Sequence, residues 1–234
     1  MKKIMLCKLG HFKQPIDFKK IEGWCSGYFK IVHSDEVRNI NVDHFNDDYT
    51  YPNVSILSDM GEDEDGIDLK IAIVDQPLER EFYMHRLEAR KCVVSIFPVY
   101  DILKLANIPI ENYIIRCVYE AVVFLYEGNG VVNENVYLIP HHETRGCLFD
   151  MNVFIEKIVY SSVTPIICDQ CKARLNVLPL PENFVNNIQK ELKRLKQPLY
   201  YRLEKLIKKN PVVSLLIASL LAIILNIIAN FISR

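Results

Sequence analysis

Hydrophobic and polar positions along the chain fall into three regimes. Up to about residue 180, short apolar runs alternate with polar stretches. From Glu182 to Lys209 apolar residues recur at three- and four-residue spacing, and from Pro211 to Ile232 no charged residue occurs. In the first regime, β-branched and aromatic runs predict strands: residues 2–8, the second half of 21–32, the short run 54–57, 68–74 and 91–97. Residues 35–53 are polar and loop-like, and 76–90 predict a polar loop or short helix. Ile110, Ile114, Cys117, Val118, Ala121, Val122 and Leu125 repeat with helical period inside 108–127, and Gly128-Asn129-Gly130 ends that helix. The expectation is an α+β domain over residues 1–180.

The second regime predicts an amphipathic helix carrying Phe184, Ile188, Leu192, Leu195, Leu199, Leu203 and Leu206, interrupted at Pro198. This segment, 181–210, is basic. It can lie on an anionic membrane surface, pack on the domain, or pack on a copy of itself. The third regime, 211–232, is long enough for a bilayer core, which takes roughly 20 residues. Lys190, Lys193, Arg194, Lys196, Arg202, Lys205, Lys208 and Lys209 precede it. Basic residues beside a span favour the cytoplasmic side. The expectation is therefore a single-pass, tail-anchored protein with its N-terminal domain in the cytoplasm. The Ile-, Asn- and Lys-rich composition points to a bacterial inner membrane. Ser219, Asn226 and Asn230 share one face of the span, with Ala222 and Ala229 beside them. Polar and small residues in a span favour helix–helix association, so a homo-oligomer through these positions is expected.

The formal net charge is −1, which gives no global basic field, and no nucleic-acid partner is expected. The acidic run SDMGEDEDG is not a calcium loop. That pattern needs an acid where Gly61 stands and a glutamate where Ala72 stands. The seven cysteines are an odd number, and the start of the chain reads as a strand rather than an export signal. Reduced thiols, some of them metal ligands, are expected.

The most specific chemistry lies between Ile139 and Leu175. Cys168-Asp169-Gln170-Cys171 is a CxxC pair whose turn can direct both sulfurs at one ion. Cys147 lies upstream at the spacing of the other half of a zinc clip, and His142 supplies a fourth ligand. His142, Cys147, Cys168 and Cys171 would complete a closed, structural Zn2+ site, one per chain. Which of His141 and His142 binds stays open. A thioredoxin-like redox pair is the alternative, but that motif opens a helix directly after a strand.

The spacing His141-His142-x4-Cys147, then Met151-Asn152, then Cys168-x2-Cys171 resembles the tail of the archaemetzincin metallopeptidases. On that resemblance His141 matches the third catalytic histidine. His142 replaces the first structural cysteine, and Cys147, Cys168 and Cys171 match the other three. The resemblance implies a zincin-like fold and an active-site helix carrying HExxH. The corresponding stretch is Tyr119-Glu120-Ala121-Val122-Val123, with Glu120 at the general base and both histidines replaced. Glu120 and His141 are the catalytic candidates the resemblance leaves. A hydrolytic zinc needs three protein ligands and an open position, so the resemblance implies a pseudoenzyme.

His11, His33, His44 and His85 are scattered, and no glycine-rich phosphate loop or GxSxG elbow occurs. Cys92 and Cys117 remain as cysteine-nucleophile candidates. Three functions follow. The first is a non-enzymatic membrane effector or signalling protein whose domain senses a cytosolic protein or small ligand and acts through oligomerisation of its span. That architecture resembles prokaryotic antiviral effectors that compromise membranes. The second is a membrane-tethered zinc peptidase, and the third a scaffold for a cytosolic partner.

Overall fold

The computed structural model describes residues 1–40, 45–132 and 140–232; His44 and the Ser233-Arg234 tail lie outside them. The chain divides into two compact units, Met1–Lys196 and Gln197–Arg234. The first is built on a five-stranded sheet of β1 (Lys2–Leu9), β2 (Phe29–Arg38), β3 (Leu69–Val74), β4 (Met84–Glu88) and β5 (Lys91–Ser95), in the order β2-β1-β3-β5-β4. All pairings are parallel except the β4–β5 hairpin. A parallel strand covered on both faces reads as an unbroken apolar run, and β3 is buried along its whole length.

Lys70 is the exception within that run. Its side chain is only 3% exposed and its ammonium meets Glu64 at 3.0 Å, while Lys91 on β5 meets Glu88 at 3.2 Å and Asp63 at 3.6 Å. The acidic run therefore neutralises lysines at the start of two sheet strands. It is more than a solvated turn.

Helices α1 (Phe18–Glu22), α2 (Asn53–Met60), α3 (Val99–Leu105) and α4 (Ile110–Glu127) pack around the sheet, followed by α5 (Ile158–Val163), α6 (Asp169–Leu175) and α7 (Phe184–Leu192). On one face Ile56 and Met60 of α2 meet Cys7, Leu9, Ala72, Val74 and Val93. α4 is buried from Ile110 to Leu125. Such all-round burial requires cover on more than one side. Tyr113 bonds the sheet through the carbonyl of Ser95 at 2.7 Å, and Phe124 meets Phe149 of the later segment at 5.9 Å.

The structure corrects several expectations. Residues 54–57 belong to helix α2 and not to a strand, because Ile56 and Met60 are buried four apart while Val54 is exposed. Residues 76–90 hold a short helical turn at Glu79–Glu81, as read, and in addition the strand β4, whose polar sequence MHRLE lies at the edge of the sheet. β2 continues to Arg38, into the start of the stretch 35–53 that reads as loop. α7 belongs to the first unit: Phe184, Val185, Ile188 and Leu192 are buried. The amphipathic segment is thus two helices, and the first compact unit runs from Met1 to Lys196.

Glu191 holds α7 in place. Its carboxylate accepts from Tyr119 Oη at 2.6 Å, Ser26 Oγ at 2.8 Å and the Gly27 N–H at 2.9 Å, and Tyr119 Oη accepts from Trp24 Nε1 at 2.8 Å.

The second unit comprises α8 (Leu199–Lys209) and α9 (Pro211–Ile232). Over Pro211–Asn230 the mean hydropathy is 2.8, and the helix is long and apolar enough to cross a membrane.

Glu191→Ala leaves two partly buried hydroxyl donors, Tyr119 and Ser26, and the exposed Gly27 N–H without their acceptor, at a cost of about 1–3 kcal/mol. Denaturant unfolding of the detergent-solubilised chain, followed by the fluorescence of Trp24, its single tryptophan, is expected to show a loss in that range.

Candidate metal centre and the neighbouring cleft

Local backbone chemistry brings the cysteines together. Cys168 caps the N-terminus of α6 and Cys171 sits in its first turn, where helix amide groups favour thiolate over thiol. Cys147 is carried alongside by a short bridge: Leu148 N–H donates to the Ile166 carbonyl at 2.7 Å and Ile166 N–H to the Gly146 carbonyl at 3.0 Å. Gly146 takes φ +71°, which favours glycine. His141 is fixed by bonds from its N–H to Phe149 O at 3.2 Å and to its carbonyl from Met151 N–H at 3.1 Å.

The ligand atoms of His141, Cys147, Cys168 and Cys171 all lie within 4.8 Å of one another and form a cluster able to hold one metal ion. The separations fit zinc. A tetrahedron with Zn–S of ~2.3 Å and Zn–N of ~2.0–2.1 Å has S···S edges of ~3.8 Å and S···N edges of ~3.5 Å. Cys147 Sγ stands 3.8 Å from Cys171 Sγ, and Cys168 Sγ stands 3.5 Å from His141 Nε2. Nδ1 of His141 lies 2.8 Å from the Glu143 carbonyl, the arrangement in which Nδ1 donates and Nε2 is free to ligate. Four protein ligands leave no open position, so the site is of the closed, structural kind.

The surroundings favour ionised sulfur. The Cys147 thiol is pulled down to about 5 by the hydrogen bond it accepts from Cys171, helped by the N–H groups of Cys168 and Phe149 against burial. Cys171 is pushed up correspondingly as the partner that keeps the shared proton. Asp150 supports the ligands: its Oδ2 accepts from the N–H of Cys147 at 2.8 Å and of Arg145 at 3.0 Å, and its Oδ1 lies 3.4 Å from His141 Nδ1. Arg145, paired with Glu143, also reaches Cys168 Sγ at 3.9 Å.

The histidine of the cluster is therefore His141, and the assignment of His142 as the ligand is corrected. The two are adjacent and their side chains diverge: His141 is buried against Asp150, while His142 is exposed and lines a cleft. The spacing to Cys147 differs by one residue between them, which sequence alone does not resolve.

That cleft, about 560 Å³, runs between the edge strand β4 and α4, with His85, Arg86, Glu120, Phe124, His142 and Met151 among its walls. Glu120 sits at its base. Its Oε2 accepts from Arg116 Nη1 at 2.6 Å, and Tyr83 Oη lies within 3.2 Å of both carboxylate oxygens. Arg116, fully buried, also donates to Tyr83 Oη at 3.1 Å and to the Leu148 carbonyl at 2.6 Å. Burial pushes the Glu120 carboxyl up to about 6 against the pull of Arg116 and Tyr83. Glu120 and Phe124, four apart, look into the cleft. Arg86 stacks on the Phe124 ring at 4.4 Å. Tyr119 points away, to Trp24 and Glu191. The positions facing the cleft are thus one residue out of step with those matched to the HExxH histidines. They carry a paired carboxylate and a phenyl ring.

Cys92 and Cys117 are fully buried, and burial pushes both thiols up to about 12. They are unsuited to nucleophilic attack. His85 is held by the Glu79 carbonyl at 2.8 Å, and His33 stacks on Phe18; neither joins the metal cluster. The sequence reading missed Arg116, Tyr83, Asp150 and Arg145. For Arg116 a signal existed: an Arg-x3-Glu pair inside an otherwise apolar helix is the spacing of a buried ion pair.

No family model matches the chain, and no curated protein does. Two solved structures are similar to it. Archaemetzincin from Methanopyrus kandleri has 12% identity and a TM-score of 0.51 over 75% of this chain and 94% of its own. Archaemetzincin from Archaeoglobus fulgidus, complexed with malonate, has 12% identity and a TM-score of 0.43 over 74% and 99%. The first defines the class of fold: a mixed α/β domain like that of archaemetzincin. At this identity the likeness is one of fold alone.

Zinc analysis of the purified chain is expected to find one ion per chain. His141→Ala and Cys168→Ser each weaken retention more than about hundredfold, and Asp150→Asn about 10–100-fold, as for residues that orient ligands. His142→Ala leaves zinc unchanged in competition with a chelator. Separately, Glu120→Leu strands the Arg116 guanidinium and costs about 3–5 kcal/mol. The double change Arg116→Met/Glu120→Leu is expected to recover part of this in denaturant titration.

Proposed function

We propose that this chain is a membrane-anchored, non-hydrolytic protein with a zincin-like domain. Zinc at His141, Cys147, Cys168 and Cys171 staples the segment after α4. The domain recognises a cytosolic partner or small ligand, and the protein acts through self-association of α9. The observation that carries this reading is the base of the cleft. The helix positions facing it hold Glu120, already bonded to Arg116, and Phe124, covered by Arg86. The cleft so built presents the Arg86 guanidinium, with Glu120 already neutralised beneath by Arg116, where a catalytic cation would need three ligands and open coordination. Among the described residues the metal-binding group found is the closed cluster.

α9 serves as the membrane span in this reading. The basic residues ahead of it, Arg202, Lys208 and Lys209 among them, favour a cytoplasmic domain. Ser219, Asn226 and Asn230 supply the contact between copies. Asn230 Nδ2 already reaches Asn226 Oδ1 at 3.4 Å, so the amides form a polar ridge one turn long. In hydrocarbon such a ridge gains by meeting another of its kind. A sensor domain joined to a self-associating span suits an effector that permeabilises the membrane once activated, as in prokaryotic antiviral defence.

The test is made on the full chain in lipid vesicles. Interhelical amide bonds contribute about 1–2 kcal/mol. Asn226→Leu/Asn230→Leu is therefore expected to weaken self-association, measured by energy transfer between labelled copies, by about 5–30-fold, and to reduce dye release from the vesicles in parallel. Unchanged association removes the oligomer. Chelator-sensitive peptide hydrolysis accompanied by a second zinc overturns the non-hydrolytic assignment.

A further inference from the structure

Helix α8 has a surface that the metal centre and the span leave unexplained. Plotted at helical period, Leu199, Tyr200, Leu203, Leu206 and Ile207 fill one continuous arc of roughly 120°. All five are exposed. The remaining circumference is polar and basic, with Arg202, Lys208 and Lys209; its single acid, Glu204, is paired with Lys208 at 2.6 Å. A helix of eleven residues is too short to hold itself together in water without a surface to cover such a face.

The junction with α9 indicates what that surface is. Asn210 alone separates the two helices, and its backbone leaves the helical region at φ −137°, ψ 69°. Pro211 then opens α9, a position where the missing N–H costs nothing. The Asn210 carbonyl accepts from both the N–H and the hydroxyl of Ser214 at 3.0 Å. The chain therefore turns out of α8 before the span begins. The C-terminal end of α8 must lie at the level where the apolar span meets water. There a turned helix with an apolar arc and a basic back presents leucines to acyl chains and cations to headgroups. Tyr200, at the edge of the arc, is of the type enriched at that level.

We infer that α8 is an interfacial helix that docks on anionic phospholipid headgroups, with Leu199, Leu203, Leu206 and Ile207 in the acyl boundary and Arg202, Lys208 and Lys209 over the phosphates. This rests on the reading of α9 as a span. It adds a lipid requirement: the protein is seated by membrane charge as well as by its anchor. Its association with the bilayer surface is correspondingly weakened by salt.

The test is amide hydrogen exchange on the full chain in nanodiscs of phosphatidylcholine, with and without about one-third phosphatidylglycerol. Protection over 199–209 is expected to rise with the anionic lipid and to fall with high salt, while 212–230 stays protected throughout. Lys208→Gln/Lys209→Gln is expected to lower α8 protection in the anionic discs by about fivefold per residue. Leu203→Glu/Ile207→Glu abolishes that protection and leaves 212–230 unchanged. Equal α8 protection in neutral and anionic discs overturns the inference. So does protection that appears only when two copies share a disc, which would make a second α8 the occupant. Free exchange over 212–230 is a different failure and removes the span itself.

Discussion

A guanidinium removed from water has to recover its hydration from fixed partners, and Arg116 is buried completely. It sits in the middle of α4 and draws three parts of the domain to itself: Glu120 on the next turn, Tyr83 at the entrance to the edge strand, and the carbonyl of Leu148. Leu148 follows the metal-cluster residue Cys147 directly. The same side chain therefore fixes the base of the cleft and the backbone that presents a zinc ligand. Its demand for acceptors is met in part by Glu120, a buried carboxylate on the same helix.

The two adjacent histidines divide along the same boundary. His141 turns inward to the sulfurs, held by the Glu143 carbonyl and Asp150, and His142 turns outward into the cleft. A closed cluster with supported ligands is suited to stapling a chain segment. The carboxylate at the base of the cleft is bonded to Arg116 and Tyr83.

Beyond Lys196 the physics changes. The first unit is held by burial against its own sheet and helices, whereas the apolar faces of α8 and α9 are exposed. Glu191 on α7 secures the end of the first unit through Tyr119, the immediate neighbour of Glu120. The chain leaving the domain is thus anchored to the opposite side of the helix that floors the cleft.

What the sequence determined by itself was whatever depends on local composition and period. The buried parallel strands β1, β3 and β5 are apolar runs, α4 has an uninterrupted helical repeat, α9 is long and uncharged, and the three cysteines of the cluster announce themselves by spacing. The tertiary structure decided what depends on neighbours. β4 is polar because it is an edge, and α2 is helical because Ile56 and Met60, one turn apart, meet the sheet. α7 is amphipathic in the same register as α8, yet its apolar face is covered by the domain and that of α8 is not. The choice between His141 and His142, and between Tyr119 and Glu120 as the residue facing the cleft, turned on single-residue rotations about a backbone. Such rotations leave no trace in residue type or spacing. They are set by which side chain finds a buried acceptor when the whole chain is packed.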